Sequence, residues 1–303
     1  MIDERYIIRQ DETLLEALRQ INMLGTGPLV LFAVNDKGQM TGTLTDGDSR
    51  RALIAGNTVD SLVKDVIHTS FNFIRKDKGN LVQELKHQKE LHMKLVPVLD
   101  SDNHIVDIIN LEQYKTKLPI DAVLMAGGKG ERLRPLTEKT PKPLLLVGGK
   151  SIIDHNIDRL ISYGVEHISV TVNYLREQLE EHYATPHNGI QVNCVREPKY
   201  LGTIGSIKFV ETIYNDTVLV MNSDLFTNIN YEDFYLHFKE HDTDMSVAAV
   251  PYTVSVPYGI FDLEGRDIQG LIEKPTYNYY ANAGIYLIKR SALDEIPEDT
   301  FFN

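Results

Sequence analysis

Apolar positions along the chain change their spacing several times, and each change marks an element. Leu14, Leu15, Leu18 and Ile21 recur at helical spacing behind Asp11-Glu12-Thr13, which predicts an amphipathic helix. The run Leu29-Val30-Leu31-Phe32-Ala33-Val34 reads as a strand, Asn35-Asp36-Lys37-Gly38 as a turn, and residues 39–44 as the returning strand. The same order recurs: a helix from Leu81, a strand over 94–99, a turn at Asp100-Ser101-Asp102-Asn103, and a strand over 105–109. This weak internal repeat sets residues 1–118 apart as one domain. The stretch before Pro119, polar in its middle and carrying Lys115 and Lys117, reads as the linker.

From Ile120 onward strands and helices alternate, the pattern of an α/β sheet with crossover connections. Strands are expected over 120–125, 167–172, 190–195 and 217–221. Helices are expected from Ser151 to about Tyr163, over 175–183, and over 206–210. Residues 119–303 form the second domain in this reading.

Composition narrows the function. The 303 residues carry a formal net charge of −12, which disfavours non-specific binding to nucleic acid or to an anionic membrane. The start of the chain has no apolar run long enough for a signal peptide or a membrane span. The single cysteine, Cys194, cannot form an internal disulfide, in keeping with a reducing, cytoplasmic setting, and reads as a small side chain in a strand.

Against that acidic background one stretch is basic and glycine-rich: Ala126-Gly127-Gly128-Lys129-Gly130-Glu131-Arg132-Leu133-Arg134-Pro135-Leu136-Thr137, followed by Pro141-Lys142-Pro143. Glycines just past a strand let main-chain N–H groups approach an anion closely. Lys129, Arg132 and Lys142 add cations suited to phosphate oxygens. The spacing is neither that of a P-loop nor Gly-x-Gly-x-x-Gly, which argues against a dinucleotide-dependent oxidoreductase. The whole string resembles the signature of the sugar-1-phosphate nucleotidyltransferases, the nucleoside-diphosphate-sugar pyrophosphorylases, at every fixed position. The resemblance covers the chain from about Ile120 to its end and implies a Rossmann-like, glycosyltransferase A-like mixed sheet.

Further motifs follow in the family's order, and their roles are those the resemblance implies. Ala126, Gly127, Gly128 and Gly130 hold the nucleotide phosphates, with Arg132 and Lys142 as catalytic cations. Gly202 and Thr203, in Leu201-Gly202-Thr203-Ile204-Gly205, wrap the base. Asp224, in Asn222-Ser223-Asp224 at the end of the most apolar strand, binds Mg2+; its alternative is a helix cap. Gly259, Glu273, Lys274, Asn282 and Gly284 form the sugar-phosphate half, with Lys274 also catalytic. Glu197 is read from chemistry: a carboxylate accepts twice and so pairs with guanine N1–H and N2–H, whereas an amide suits uracil or thymine better. Its alternative is a solvent-exposed loop charge. GTP is therefore favoured, with UTP, dTTP and CTP open, and the acceptor is a hexose- or aminohexose-1-phosphate. Family members usually continue into a Trp-x-Asp-Ile-Gly type motif bearing a second magnesium ligand. No such motif occurs here, so the domain is expected to be truncated at its C-terminus, or else its metal site is completed differently.

The first domain resembles a tandem CBS pair, or Bateman module, most closely at Gly42-Thr43-Leu44-Thr45-Asp46-Gly47-Asp48. That resemblance implies an α/β module in which Thr45 and Asp48 hold an adenine-nucleotide effector, and it implies a homo-oligomer. The alternative for the two residues is to cap the next helix. The second copy, Asn110-Leu111-Glu112-Gln113, lacks the Thr-x-x-Asp pattern. A second function, from another class, is a non-catalytic nucleotide sensor with a degenerate transferase domain.

Overall fold

The repeated helix–strand–strand pattern of the first third folds as two sheets of the same topology. A computed structural model describes residues 2–77, 79–199, 202 and 205–297. It divides into two compact units: Met1–Leu118 with Ser162–Gly164, and Pro119–Ile161 with Val165–Asn303.

In the first unit the elements are β1 (Ile7–Arg9), α1 (Leu14–Met23), β2 (Val30–Val34), β3 (Met40–Thr45), α2 (Asp46–Ile54), β4 (Ile74–Arg75), α3 (Leu81–Glu90), β5 (Leu95–Leu99) and β6 (Ile105–Asn110). Strand order is β1-β2-β3 in one sheet and β4-β5-β6 in the other. Each sheet pairs its first two strands parallel and its last two antiparallel. The antiparallel pairs carry register shifts at matching places, Ala33/Val34 and Val98/Leu99. The two turns bond to each other: Met40 N–H donates to the Asn103 carbonyl at 2.9 Å, and Gln39 Nε2 to that of Asp102 at 2.9 Å. The copies differ after their last strand. Thr45 and Asp48 launch α2, whereas Asn110 only closes a turn by accepting from Glu112 N–H.

The second unit contains β7 (Asp121–Met125), β8 (Leu146–Val147), β9 (Lys150–Ser151), α4 (Ile152–Ser162), β10 (His167–Val172), α5 (Arg176–His182), β11 (Val192–Arg196), β12 (Thr217–Asn222), α6 (Tyr231–His241), β13 (Met245–Ser255), β14 (Ile260–Glu264), β15 (Asp267–Ile272) and β16 (Thr276–Lys289). Its main sheet is mixed, in the order β11-β10-β7-β12-β16-β13. Strands β11, β10, β7 and β12 run parallel; β16 is antiparallel to β12, and β13 to β16. Successive crossovers place β10 on one side of β7 and β12 on the other. The carboxyl ends of β7 and β12 therefore open a crevice where the strand order reverses, the usual binding place in such sheets.

The core explains why these runs form strands. Val123, Val218, Val220 and Ile288 bury against Ile207 and Leu293. Asp121 opens β7 buried, and it accepts from the Tyr214 and Asn215 N–H groups, so its burial is compensated. The segment expected as a helix over 206–210 is a 3-10 turn, Gly205–Phe209, in keeping with a stretch too short to sustain an α-helix.

Candidate active site

The glycine stretch leaves β7 and folds back on itself. Gly130 lies in the left-handed region at φ 61° and caps the 3-10 turn Glu131–Leu133. A Cβ there would sit 3.0 Å from Thr137 Cγ2 and 3.1 Å from Lys142 Cβ. Thr137 Oγ1 donates to the Gly130 carbonyl at 2.8 Å, closing the loop. From the segment after β10, Tyr174 OH donates to the carbonyls of Thr137 and Glu138, and Gln178 Nε2 to that of Lys139. A loop tied at both ends holds its N–H groups in place before an anion arrives.

Lys142 leads the next turn, Lys142–Leu144, and its ammonium pairs with the Asp224 carboxylate. Asp224 follows β12. It is not a helix cap: the cap of α6 is Asn230, which accepts from the Glu232 and Asp233 N–H groups. Ser223 Oγ and N–H both donate to the Met125 carbonyl, at 2.7 and 3.2 Å, joining the ends of β12 and β7. Glu197 follows β11 and is 2 % exposed, which removes the solvent-exposed alternative. Its carboxylate lies against Gly127, where a Cβ would stand 2.6 Å from Oε1. Gly127 is thus a glycine because the loop passes flat over the carboxylate.

These groups line one cleft of about 450 Å³, with Ala126, Gly128 and Gly130 from the loop, Arg132 and Lys142 as cations, and Glu197, Gly202 and Asp224 also in its lining. Thr203 lies outside the described residues. Asp224 offers hard oxygen donors at a strand end and already carries a cation, the Lys142 ammonium, so its carboxylate fits a magnesium ligand. Among the described residues no group of three or more His, Cys, Asp or Glu side chains forms a metal cluster.

The residues assigned to the sugar phosphate do not line this cleft. Gly259, Glu273 and Lys274 flank the β14–β15 hairpin, whose strands pair only with each other. Gly259 does face Glu273, with a built Cβ 3.0 Å from its Oε2, and Lys274 takes φ 45°. Asn282 is engaged locally, donating to Tyr286 OH and accepting from Gly284 N–H, each at 2.8 Å. Gly284 reaches the cleft wall indirectly, for its missing side chain makes room for Asn222.

In the first unit, Thr45 Oγ1 accepts from Asp48 N–H at 3.1 Å while Asp48 Oδ2 accepts from Thr45 N–H at 2.9 Å, a reciprocal capping box. Asp48 also pairs with Arg51. The two residues line different depressions. Thr45 lies on an apolar cleft of about 390 Å³ with Phe32, Phe71 and Met93, and Asp48 on a second depression of about 450 Å³.

Sequence reasoning missed Asn156, Tyr174 and Ser223. For Asn156 the signal was present: it is a polar residue inside the apolar stripe of Ile153, Ile157 and Leu160 on α4. The other two become visible only once β10 and β12 are set beside β7.

Among curated relatives, the chain is 29% identical over 184 residues to a mannose-1-phosphate guanylyltransferase catalytic subunit beta from Xenopus tropicalis, covering 58% of this chain and 51% of that one. It is 31% identical over 186 residues to a mannose-1-phosphate guanylyltransferase from Mycobacterium tuberculosis, covering 59% and 51%. The chain thus spans about half the length of the curated relatives it matches. Among solved structures it is similar to HddC from Yersinia pseudotuberculosis, at 25% identity and a TM-score of 0.45, over 60% of this chain and 82% of that one. The family profile described as "Nucleotidyl transferase" matches residues 121–300, more than half of the chain and all of the cleft just described. The chain belongs to the nucleotidyl transferase family.

Proposed function

We propose that the chain transfers a guanylyl group from GTP to a hexose- or aminohexose-1-phosphate. The observation that carries this reading is one cleft holding the tied glycine loop, the Lys142–Asp224 pair and the buried Glu197 carboxylate. The guanylyltransferase names of the curated relatives support the choice of nucleotide and of acceptor class, and they favour an enzyme over a non-catalytic sensor.

In the reaction a phosphate oxygen of the sugar-1-phosphate attacks the α-phosphorus of GTP. The new P–O bond forms as the bond to the β-phosphate breaks, and pyrophosphate leaves. The nucleophile is already ionised, so the protein's work is positioning and charge neutralisation. Loop N–H groups and Arg132 take the β- and γ-phosphates and steady the leaving group. Lys142, released from Asp224, turns its ammonium to the α-phosphate. Asp224 would hold magnesium, which when bound would offset charge on the phosphate oxygens. Glu197 accepts from guanine N1–H and N2–H while Gly202 passes beside the base. Gly259, Glu273, Lys274, Asn282 and Gly284, which do not line the cleft, are assigned to the sugar phosphate by the family resemblance alone, with Lys274 on the attacking group.

The first unit acts in this reading as a CBS pair that binds an adenine nucleotide and self-associates. Support comes from the duplicated sheet topology and the apolar cleft beside Thr45. The test of the main reading is pyrophosphate release from GTP with a panel of hexose-1-phosphates. Asp224→Asn is expected to remove the magnesium-dependent rate; unchanged turnover would take Asp224 out of the reaction.

A further inference from the structure

Helix α4 carries an amide where its packing calls for a hydrocarbon. Ile153, Ile157 and Leu160 on its inner face are fully buried, and Asn156 among them is 2 % exposed. Burying such a group is unfavourable unless hydrogen bonds compensate it. They do. Asn156 Nδ2 lies 2.8 Å from the Leu225 carbonyl, 3.3 Å from that of Ser223 and 3.3 Å from that of Ile152. The first two acceptors are the carbonyls on either side of Asp224.

The stretch between β12 and α6 has no helix or strand, so no backbone ladder of its own directs Asp224. It is held from outside. Ser223 Oγ ties it to β7, Asn156 grips it at 223 and 225, and Arg159, one turn along α4, donates to the Ile229 carbonyl. Helix α4 is itself anchored on another side, where Asp154 accepts from Tyr183 OH at 2.8 Å and His182 Nε2 lies 3.0 Å from its carboxylate.

We infer that Asn156 is a positioning residue for Asp224: its carboxamide fixes the backbone on both sides of the aspartate and so aims the carboxylate into the cleft beside Lys142. This rests on the reading of Asp224 as the magnesium ligand. A partner that orients a ligand without touching the metal changes metal affinity by about 10–100-fold when removed. A role in packing alone would instead lower stability and weaken every ligand together.

The test uses the full chain with Asn156→Leu, which keeps the volume and removes the donor. Mn2+ affinity in the presence of GTP is read by electron paramagnetic resonance, and GTP affinity in EDTA by calorimetry. The expected result is Mn2+ binding weaker by about tenfold, with metal-free GTP binding within about twofold of the unaltered protein. Unchanged Mn2+ affinity overturns the inference, and so does a parallel loss of both affinities. Should Asn156→Leu fail to fold, Asn156→Ala, which removes the same donor with a smaller side chain, is judged by the same two affinities. Asp224→Asn serves as the reference. If it binds Mn2+ as well as the unaltered protein, the magnesium reading itself fails and takes this inference with it.

Discussion

Replacing Gly127 by alanine separates recognition of the base from recognition of the phosphates. Gly127 is not among the positive-φ glycines, so alanine meets no backbone penalty. What it meets is Glu197. The new Cβ would lie 2.6 Å from Oε1 and 3.0 Å from both Cδ and Oε2. Reaching an ordinary contact of 3.4 Å requires the carboxylate to retreat by about 0.8 Å. Glu197 is 2 % exposed, so the retreat is resisted by its surroundings. A shift of that size takes a hydrogen bond of about 2.9 Å past the range in which it holds. Each bond to a charged acceptor is worth about 1.5–3 kcal/mol. Losing one or both from guanine therefore weakens GTP by roughly 10- to 100-fold or more. UTP presents no such pair of donors and is expected to change by less than about threefold. Calorimetric titration with GTP and with UTP, backed by competition of the two in pyrophosphate release, measures the difference. Glu197→Gln, which keeps the volume and trades one acceptor for a donor, is expected to narrow the same preference. Equal loss for both nucleotides from Gly127→Ala, or GTP affinity retained, would refute the argument that Glu197 reads the base.

Gly130→Ala forces a side chain into the left-handed region and against Thr137 and Lys142, so it is expected to cost about 1–2 kcal/mol and to weaken nucleotide binding, read by thermal melting and GTP titration. Thr45→Ala removes the cap of α2 and one half of its box; the expected loss is about 1 kcal/mol in urea unfolding. Burial alone would raise the Asp154 carboxyl, but hydrogen bonds from Ser151, His182 and Tyr183 outweigh it and hold the group low. A depressed carboxyl lends stability that is present above the ordinary carboxylate range and lost as pH falls through the folded value, so Asp154→Asn should flatten the acid side of a pH–stability profile. Burial, and then Glu180, push the Cys194 thiol up to about 11, so its alkylation at pH 8 should be slow until the chain is unfolded.

The site was legible where it depends on strand ends and illegible where it depends on what folds across them. A glycine-rich string after an apolar run places the loop at the carboxyl end of β7, and Asn222-Ser223-Asp224 after another run places a carboxylate at the end of β12. Once alternation of strand and helix implies a parallel sheet, the two ends need only neighbouring strands to meet; the Lys142–Asp224 pair depends on how the loop returns and is seen only in the structure. Glu197 escaped a firm reading because a charge beside a proline defaults to solvent. Only the close passage of Gly127, on a different strand's loop, shows why it is covered. The same limit explains Gly259, Glu273 and Lys274. Their order along the chain cannot say that β14 and β15 pair with each other rather than with the main sheet, because a hairpin's partners are set by its turn and not by its distance from the loop. Asn156 carries the lesson furthest. The helical spacing of Ile153, Ile157 and Leu160 marks the buried face of α4, and the amide on that face finds one acceptor, the Ile152 carbonyl, on its own helix and two beyond it. A buried polar side chain inside an apolar stripe therefore points away from its own helix, toward a backbone that something else needs held still.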